Sequence, residues 1–502
     1  MKPNAHSTRE ATSQVALLAL LLVLVLIGLA RWRFLGTQLE RDEGEFAYGA
    51  QRILAGDVPY VSFHAMKLPG IYLAYALLLV CCGETAWGIH LGLLLVTLAS
   101  TTFVYALASR RYGRSSGLAA AAAFGLLTLS PAVQGTQAQS EHFVIFWGLA
   151  GACLLGSQRL SLLFFAGLMF GMSLLTKQHG LLFGIAAIAC CWRSWRAVTV
   201  VALGWMLPLA TTCATMAVLG AWDEFVFWTW TYPSHYATRV PPRLGLTVLL
   251  NIIPEALGWC WPLWILGALG IIRAWRQLLI WAIVSFLAIC PGLVFRGHYF
   301  LLLMPVVAVG VGVSVRWLRA APTGIAIAWT AASLAMFYAP LTPPELISKL
   351  YYDQFFNEAP EIGRFLAEQT QPSEPIGVLA SEQQLLFNAR RVSVSPHIYM
   401  YPLMENQPYA LKMQDELIAG IEQGAPKILV VWEEPVSWLY QPGAPTRILD
   451  WVNPYLAEHY YQVGRVECSL DGPPRFAWDE AALAKPPEYA RVMNIYRRKS
   501  GH

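Results

Sequence analysis

The sequence predicts a mainly α, polytopic membrane protein with a small α/β domain at its C-terminal end. Two observations predict it. Of the 502 residues, 56% are hydrophobic and only 13% are charged, against about 25% charged in soluble domains, and the mean hydropathy is +0.47. The apolar residues are also segregated. Long apolar runs fill residues 1–340, and from about Leu341 the chain turns polar and Pro-rich. The predicted domains are therefore 1–340 in the membrane and 341–502 outside it.

A membrane-spanning helix needs about 20 apolar residues. Runs near 14–30, 87–108, 117–134, 141–157, 160–176, 180–192, 197–219, 246–272, 277–294, 298–315 and 323–340 predict about eleven spans. The first run, Val15 to Ala30, lacks a small-residue cleavage site and continues into Arg31-Trp32-Arg33, so it reads as an uncleaved span. The run Ile71 to Val80 is too short to cross and ends at Cys81-Cys82-Gly83-Glu84. It is predicted to lie in the outer interface, within a first outer loop over 31–86 that carries interfacial helices. With that run excluded, short turns bearing Arg110, Arg111 and Arg114, then Arg159, Arg193 and Arg196, Arg273 and Arg276, and Arg316 and Arg319 all fall on one face. Short basic loops mark the cytoplasmic side. The C-terminal domain then falls on the extracytoplasmic side.

The tail shows strand-like runs at 376–380, 427–432, 460–467 and 491–497, with helical stretches near 358–369, 382–388 and 411–423. Strands alternating with helices predict a small α/β domain. Every cysteine except Cys468 lies in or beside an apolar run, and no Cys-x-x-Cys or Cys/His metal spacing occurs. There is no phosphate-binding Walker loop and no dinucleotide Gly-rich turn. No nucleotide cofactor is expected, which argues against an ATP-driven pump. A divalent metal is compatible with the sequence but not indicated by it, and nothing points to nucleic acid.

Chemistry concentrates in the stretch RDEGEFAYGAQRILAGDVPYVSFHAMKLPGIYLAY, residues 41–75. An acidic cluster, Asp42, Glu43 and Glu45, opens an amphipathic run with Phe46, Ala47, Ala50, Ile53 and Leu54 at helical spacing and Gly56 as a stop. His64 and Lys67 follow, just before Pro69-Gly70. Ionisable groups cost about 2.5–3.5 kcal/mol at mid-span, so their clustering needs a reason. The predicted topology puts Asp42, Glu43, His64, Lys67, Glu141, Lys177, His179, Arg296 and His298 on one outer face. An ionised Asp42 is able to accept a proton. Glu141 opens a span after QGTQAQS, where a second carboxylate is able to orient an acceptor. Lys67, His64, Lys177, Arg296 and His298 are candidate ligands for a lipid phosphate, Arg296 through its forked donors. Plainer roles stay open for each: loop solvation for Asp42, a helix-dipole contact for Glu141, and interfacial anchoring for the basic groups.

The stretch DEGEFAYGAQRILAGDVPY…FHAMKLPGIY, with the later TKQHG and HYFLLLMP, resembles the C-type (GT-C) membrane glycosyltransferases. It looks most like family 39, the dolichyl-phosphate-mannose–protein mannosyltransferases and bacterial aminoarabinose transferases. The resemblance covers roughly residues 10–340 and is strongest at 39–75. It implies a GT-C fold, a polyprenyl-phosphate-linked sugar as donor, an active site on the extracytoplasmic face and inversion at the anomeric carbon. It implies a place in the bacterial inner membrane. The family's first-loop catalytic Asp falls on Asp42, with Glu43 beside it, and its second acidic position on Glu141. Its phosphate-contacting lysine, in a Lys-Pro-Pro motif, falls on Lys67, which here precedes Leu68-Pro69. Aminoarabinose transferases place a metal-binding Glu before that lysine, whereas this chain has Met66.

The implied reaction is transfer of a hexosyl or pentosyl group to a lipid, glycan or protein acceptor, among membrane lipids. Two alternatives share parts of the pattern. A transporter or flippase of lipid-linked saccharides also wants cations facing a lipid phosphate, but needs neither paired outer carboxylates nor a folded outer domain. An O-antigen ligase or polymerase usually carries Arg and His in a large late loop rather than an early acidic one.

Overall fold

A computed structural model of the chain describes residues 5–237, 240–351, 355–432, 434–469 and 472–499. They form two compact units. One comprises 1–36, 67–218 and 232–343, and the other 37–66, 219–231 and 344–502. The predicted first loop is thus divided: 37–66 belongs with the C-terminal residues, and 67–86 with the helices.

The first unit is helical, and every predicted span contains helix, although the helices in the runs 117–134 and 277–294 end at Leu127 and Ala288. Among the described residues, six helical segments are long and apolar enough to cross a membrane: Gln14–Trp32, Ala86–Tyr112, Trp195–Val218, Pro242–Arg273, Gly297–Leu318 and Ala320–Tyr338. Shorter apolar helices fill the remaining runs, at Gly70–Cys82, Ser140–Leu155, Leu160–Thr176, Gln178–Cys190 and Trp275–Ala288, and Arg114–Leu127 forms a further helix. The long run at 242–273 is interrupted where Gly258 takes a positive φ of 41°, a conformation glycine reaches without steric penalty. On the first helix Val15, Leu18, Leu22 and Leu29 are all more than half exposed. An apolar face of that kind is stable only against lipid. The chain is an integral membrane protein.

Helices in lipid associate by close packing rather than by a hydrophobic drive, and glycines allow it here. A side chain at Gly270 would collide with the Gly310 backbone, and one at Gly310 with that of Gly267. Helices Trp261–Arg273 and Met304–Leu318 therefore meet backbone to backbone.

One irregular stretch, 128–139, needs partners for its carbonyls, because an unpaired backbone group is costly away from water. Arg31 donates to Thr128 O and Gly135 O, each at 2.7 Å. Tyr338 donates to Leu129 O at 2.6 Å and Tyr75 to Ala138 O at 2.7 Å. Three helices thus pin the stretch that leads into Glu141.

The second unit is α/β, as predicted. Strands β1 (Gly377–Leu379), β2 (Ile428–Val431), β3 (Tyr460–Cys468), β4 (Arg475–Ala477) and β5 (Arg491–Arg498) form one sheet in the order β1-β2-β5-β3-β4. Only β1 and β2 are parallel; the other pairs are antiparallel. Parallel neighbours need a long crossover, and helices Gln383–Ala389 and Ala410–Gly424 supply it. The sequence reading missed β4, whose Arg475-Phe476-Ala477 lies in no apolar run, and helix Arg447–His459, which contains Pro454.

Helix Arg41–Leu54 belongs to this unit. Its N-terminus is closed by a capping box: Glu40 accepts from the backbone N–H groups of Asp42 and Glu43, and the Glu43 carboxylate accepts from Glu40 N. Such reciprocal bonds satisfy donors that a helix start leaves unpaired. Its apolar face, Phe46, Ala47 and Ala50, is fully buried. Gly44 lies so close to helix Gln383–Ala389 that a Cβ there would stand 2.7 Å from Gln384 N.

Candidate active site

In the helical unit, Glu141, Lys177, His179, His298 and Tyr299 form one cluster. Lys177 Nζ donates to Glu141 Oε1 at 2.5 Å, and Ser140 Oγ donates to Glu141 Oε2 at 3.1 Å. The Glu141 side chain is fully buried and that of Lys177 is 10% exposed. The Tyr299 ring ties the cations together. Lys177 Nζ lies 4.5 Å from its centroid, and the rings of His179 and His298 meet it edge-on at 4.9 Å. A cation over an aromatic face is stabilised by the ring's quadrupole. His298 Nδ1 lies 3.1 Å from Gln134 Oε1, and Gln134 holds a positive φ of 53°. His179 Nδ1 is buried with no hydrogen-bond partner among the described residues. Each charged member sits at an end of its element or in a short turn. Glu141 sits in the first turn of Ser140–Leu155, Lys177 ends Leu160–Thr176, and His298 lies in the 3-10 turn Gly297–Leu303. One buried carboxylate is thus paired with Lys177, with His298 in the same cluster. That is chemistry suited to holding a second anion.

In the α/β unit, Asp42 stands in the first turn of helix Arg41–Leu54. Tyr399 Oη donates to Asp42 Oδ1 at 3.2 Å. Arg41 locks the helix start: it donates to Glu382 Oε1 at 2.5 Å, to Ser381 O at 2.6 Å and to Tyr401 Oη at 2.6 Å. Its guanidinium also faces the rings of Phe356 and Tyr401, each 5.6 Å from the centroid. Burial, with Asp42 and Glu43 adding like charge, raises Glu40 well above the usual carboxylate range.

His64 lies in the same unit, in a different setting. Its ring stacks on Trp228 at 4.5 Å, and its Nδ1 lies 3.3 Å from Nδ1 of His397. His397 Nε2 in turn donates to Glu416 Oε2 at 2.8 Å. Burial, and then His397, depress His64 to about 2, so it stays neutral at physiological pH. A neutral imidazole does not serve as a phosphate-binding cation. The causes are its burial and the neighbouring His397.

The remaining candidates divide between the units. Lys67 lies at the start of the helical unit, half-buried, ahead of helix Gly70–Cys82. Arg296 is exposed, at the cap of the 3-10 turn that carries His298. Lys177 is already engaged by Glu141 instead of standing alone. Glu43 carries a capping bond, a structural task that the sequence reading did not assign it. The sequence reading also overlooked Arg41 as a clamp, and Tyr399, His397 and Glu382 altogether. Arg41 carried a signal, since it directly precedes the acidic pair. The other three lie more than 300 residues downstream, and no local pattern links them to it. Among the described residues no group of three or more His, Cys, Asp or Glu is placed to hold a metal.

Comparison with known proteins bears on the fold. Residues 64–222 match the family model described as dolichyl-phosphate-mannose-protein mannosyltransferase. Among solved structures, ArnT from Cupriavidus metallidurans in the apo state superposes with a TM-score of 0.55 at 15% identity, covering 84% of this chain and 94% of that one. The same protein bound to undecaprenyl phosphate gives 0.53 at 15% identity, covering 86% and 94%. The fold is that of the C-type membrane glycosyltransferases. The resemblance read from residues 39–75 agrees with it. The oligosaccharyltransferase of Archaeoglobus fulgidus aligns at 13% identity over 92% of this GT-C chain and 74% of its own, with a TM-score of 0.49. No curated protein sequence matches the chain.

Proposed function

We propose that the chain is an inverting glycosyltransferase that moves a sugar from a polyprenyl-phosphate donor to an acceptor on the extracytoplasmic face of the membrane. The observation that carries this reading is Asp42. In a chain of GT-C fold it is the residue that the sequence resemblance matches to the family's catalytic Asp, and it lies at a helix start clamped by Arg41 with its carboxylate bonded by Tyr399. A base must be held in place to act, and this one is.

The acceptor hydroxyl gives its proton to Asp42 as its oxygen bonds to C1 of the sugar. The C1–O bond to phosphate breaks on the opposite face, and the electron pair leaves with the polyprenyl phosphate. Negative charge builds on that phosphate, so cations aimed at it lower the barrier. Lys67, Arg296 and the Lys177/His298 cluster supply that type of group. The ArnT relative binds undecaprenyl phosphate, which supports a donor of this class. Activation is already stored in the lipid-phosphate bond, so no nucleotide enters. We assign the bacterial inner membrane as the site of action, with residues 341–502 outside the cytoplasm.

The test is mass analysis of cell-envelope glycans and lipids from cells with the chain, without it, and with Asp42→Asn. A sugar present only with the wild-type chain names both sugar and acceptor. Identical envelopes in all three would remove the transferase reading.

A further inference from the structure

We infer that Tyr399 is a positioning residue for Asp42, so that the C-terminal domain is a working part of the catalytic centre. The inference rests on the transferase reading above and gives the C-terminal residues a task within it.

The geometry is local to one unit. Tyr399 Oη lies 3.2 Å from Asp42 Oδ1 and 3.5 Å from Arg41 O. A phenol has one proton to donate. The carboxylate is nearer and charged, so it takes that proton; hydrogen bonds to ionised acceptors are roughly twice as strong as neutral ones. Burial and the neighbouring Asp42 raise Tyr399 well above its ordinary value, so it remains a donor across the working pH range.

The surrounding bonds show why the tyrosine must be at that place. Ser381 Oγ accepts from Met400 N at 3.0 Å, and Ser381 O accepts from Arg41 at 2.6 Å. Tyr401 Oη accepts from Arg41 and donates to Val436 O at 3.0 Å. Residues on both sides of Tyr399 along the chain are therefore tied, directly or through Ser381, to the residue just before Asp42. The tyrosine cannot drift from the carboxylate without breaking the Arg41 clamp. A free carboxylate turns about its last bond, and the bond from Tyr399 to Oδ1 opposes that turning. A hydrogen bond to the charged form also favours ionisation, and only the ionised form can act as base.

The test uses the full-length chain in washed membranes, with their own polyprenyl-phosphate sugars as donor. Transfer is read by mass across a pH series. Other titratable or charged groups around this site are Glu40, Glu43, Glu45, Arg41, Tyr401 and Glu382; all are left intact. Tyr399→Phe removes one oxygen. We expect transfer to fall about tenfold at the optimum, the size of one hydrogen bond to a charged group. We also expect the acid limb of the pH–rate profile to move to higher pH, because Asp42 then holds its proton longer. A rate and limb identical to wild type would overturn the inference. If Tyr399→Phe does not accumulate, 3-fluorotyrosine at 399 replaces it. This stronger donor of similar size should move the acid limb to lower pH, and an unmoved limb overturns the inference equally. Asp42→Asn, assayed alongside, separates the two failures. Normal transfer in that variant defeats the transferase reading itself. Lost transfer there with normal Tyr399→Phe defeats only the role of Tyr399.

Discussion

Each unit of the molecule contains an ion pair closed at 2.5 Å on a fully buried carboxylate, and the two pairs are built for different ends. They are Glu141–Lys177 and Arg41–Glu382. The surroundings differ. Around Arg41 the excess is of acceptors: beyond Glu382, the carbonyl of Ser381, the hydroxyl of Tyr401 and two aromatic faces all receive the guanidinium. Around Glu141 the excess is of cationic and donor groups, with His179 and His298 gathered about the same Tyr299 ring as Lys177. A cation surrounded by acceptors is a fastener. A carboxylate beside more basic groups than it pairs with leaves hydrogen-bond donors over for an incoming anion. The lesson is that an ion pair's role is read from its neighbours rather than from its length.

The largest effect should come from the carboxylate that neither pair consumes. Asp42→Asn should lower transfer about 10³-fold, within the range for loss of a general base. Size-exclusion and thermal profiles should match wild type; transfer within tenfold of wild type would refute its role as base.

Matched carboxamide substitutions break the comparison next. Glu141→Gln leaves Lys177 as an uncompensated buried charge, which costs about 3–5 kcal/mol. Glu382→Gln leaves Arg41 with its other acceptors, so the loss should be nearer the ~1.5–3 kcal/mol of one charged hydrogen bond. Thermal unfolding in lipid nanodiscs checks the order. Equal losses, or the reverse order, would erase the distinction between fastener and anion site.

Lys67→Ala sharpens the helical side of the comparison. If Lys67 holds the donor phosphate, the donor KM should rise about tenfold, the worth of a single charge contact of ~1.4 kcal/mol, with kcat little changed. An unaltered KM in a donor titration would assign Lys67 to membrane anchoring.

At neutral pH the smallest effect concerns His64, because its contribution appears only below pH 6.5. Its folded value is lowered to about 2 by burial and His397, against about 6.5 in an unfolded chain. Below pH 6.5 the unfolded chain takes up a proton that the folded chain refuses. Stability should therefore fall as pH drops from about 6.5 towards 2 and be unaffected above, at up to ~1.4 kcal/mol per pH unit. His64→Phe keeps a ring against Trp228 and should flatten that slope. Superimposable melting-temperature-versus-pH curves for the two proteins would show that His64 is not held neutral.

Much of this was legible beforehand, for physical reasons. Apolar runs of spanning length find a low free energy only as helices in lipid, so the helix positions followed from composition. Strands β1, β2, β3 and β5 showed because their runs are long enough to carry a pattern. Helix Arg41–Leu54 showed because amphipathic spacing and a glycine stop act over a few residues. The Glu141–Lys177 pair did not show, although both residues were singled out. Each ends its own helix, and nothing in either local sequence states which helix ends meet.

What the sequence alone determined is the material: an integral membrane chain, a small α/β domain, and an acidic pair placed directly after the first apolar helix. The tertiary structure decided the employment of each group. It brought Tyr399 to Asp42 and Glu382 to Arg41 across more than 300 residues, turned His64 into a neutral ring on Trp228, and set Lys177 against Glu141. The reason is one of range. Hydropathy and capping act between near neighbours in the chain, whereas charge, desolvation and hydrogen bonding act between neighbours in space, and only folding makes those neighbours known.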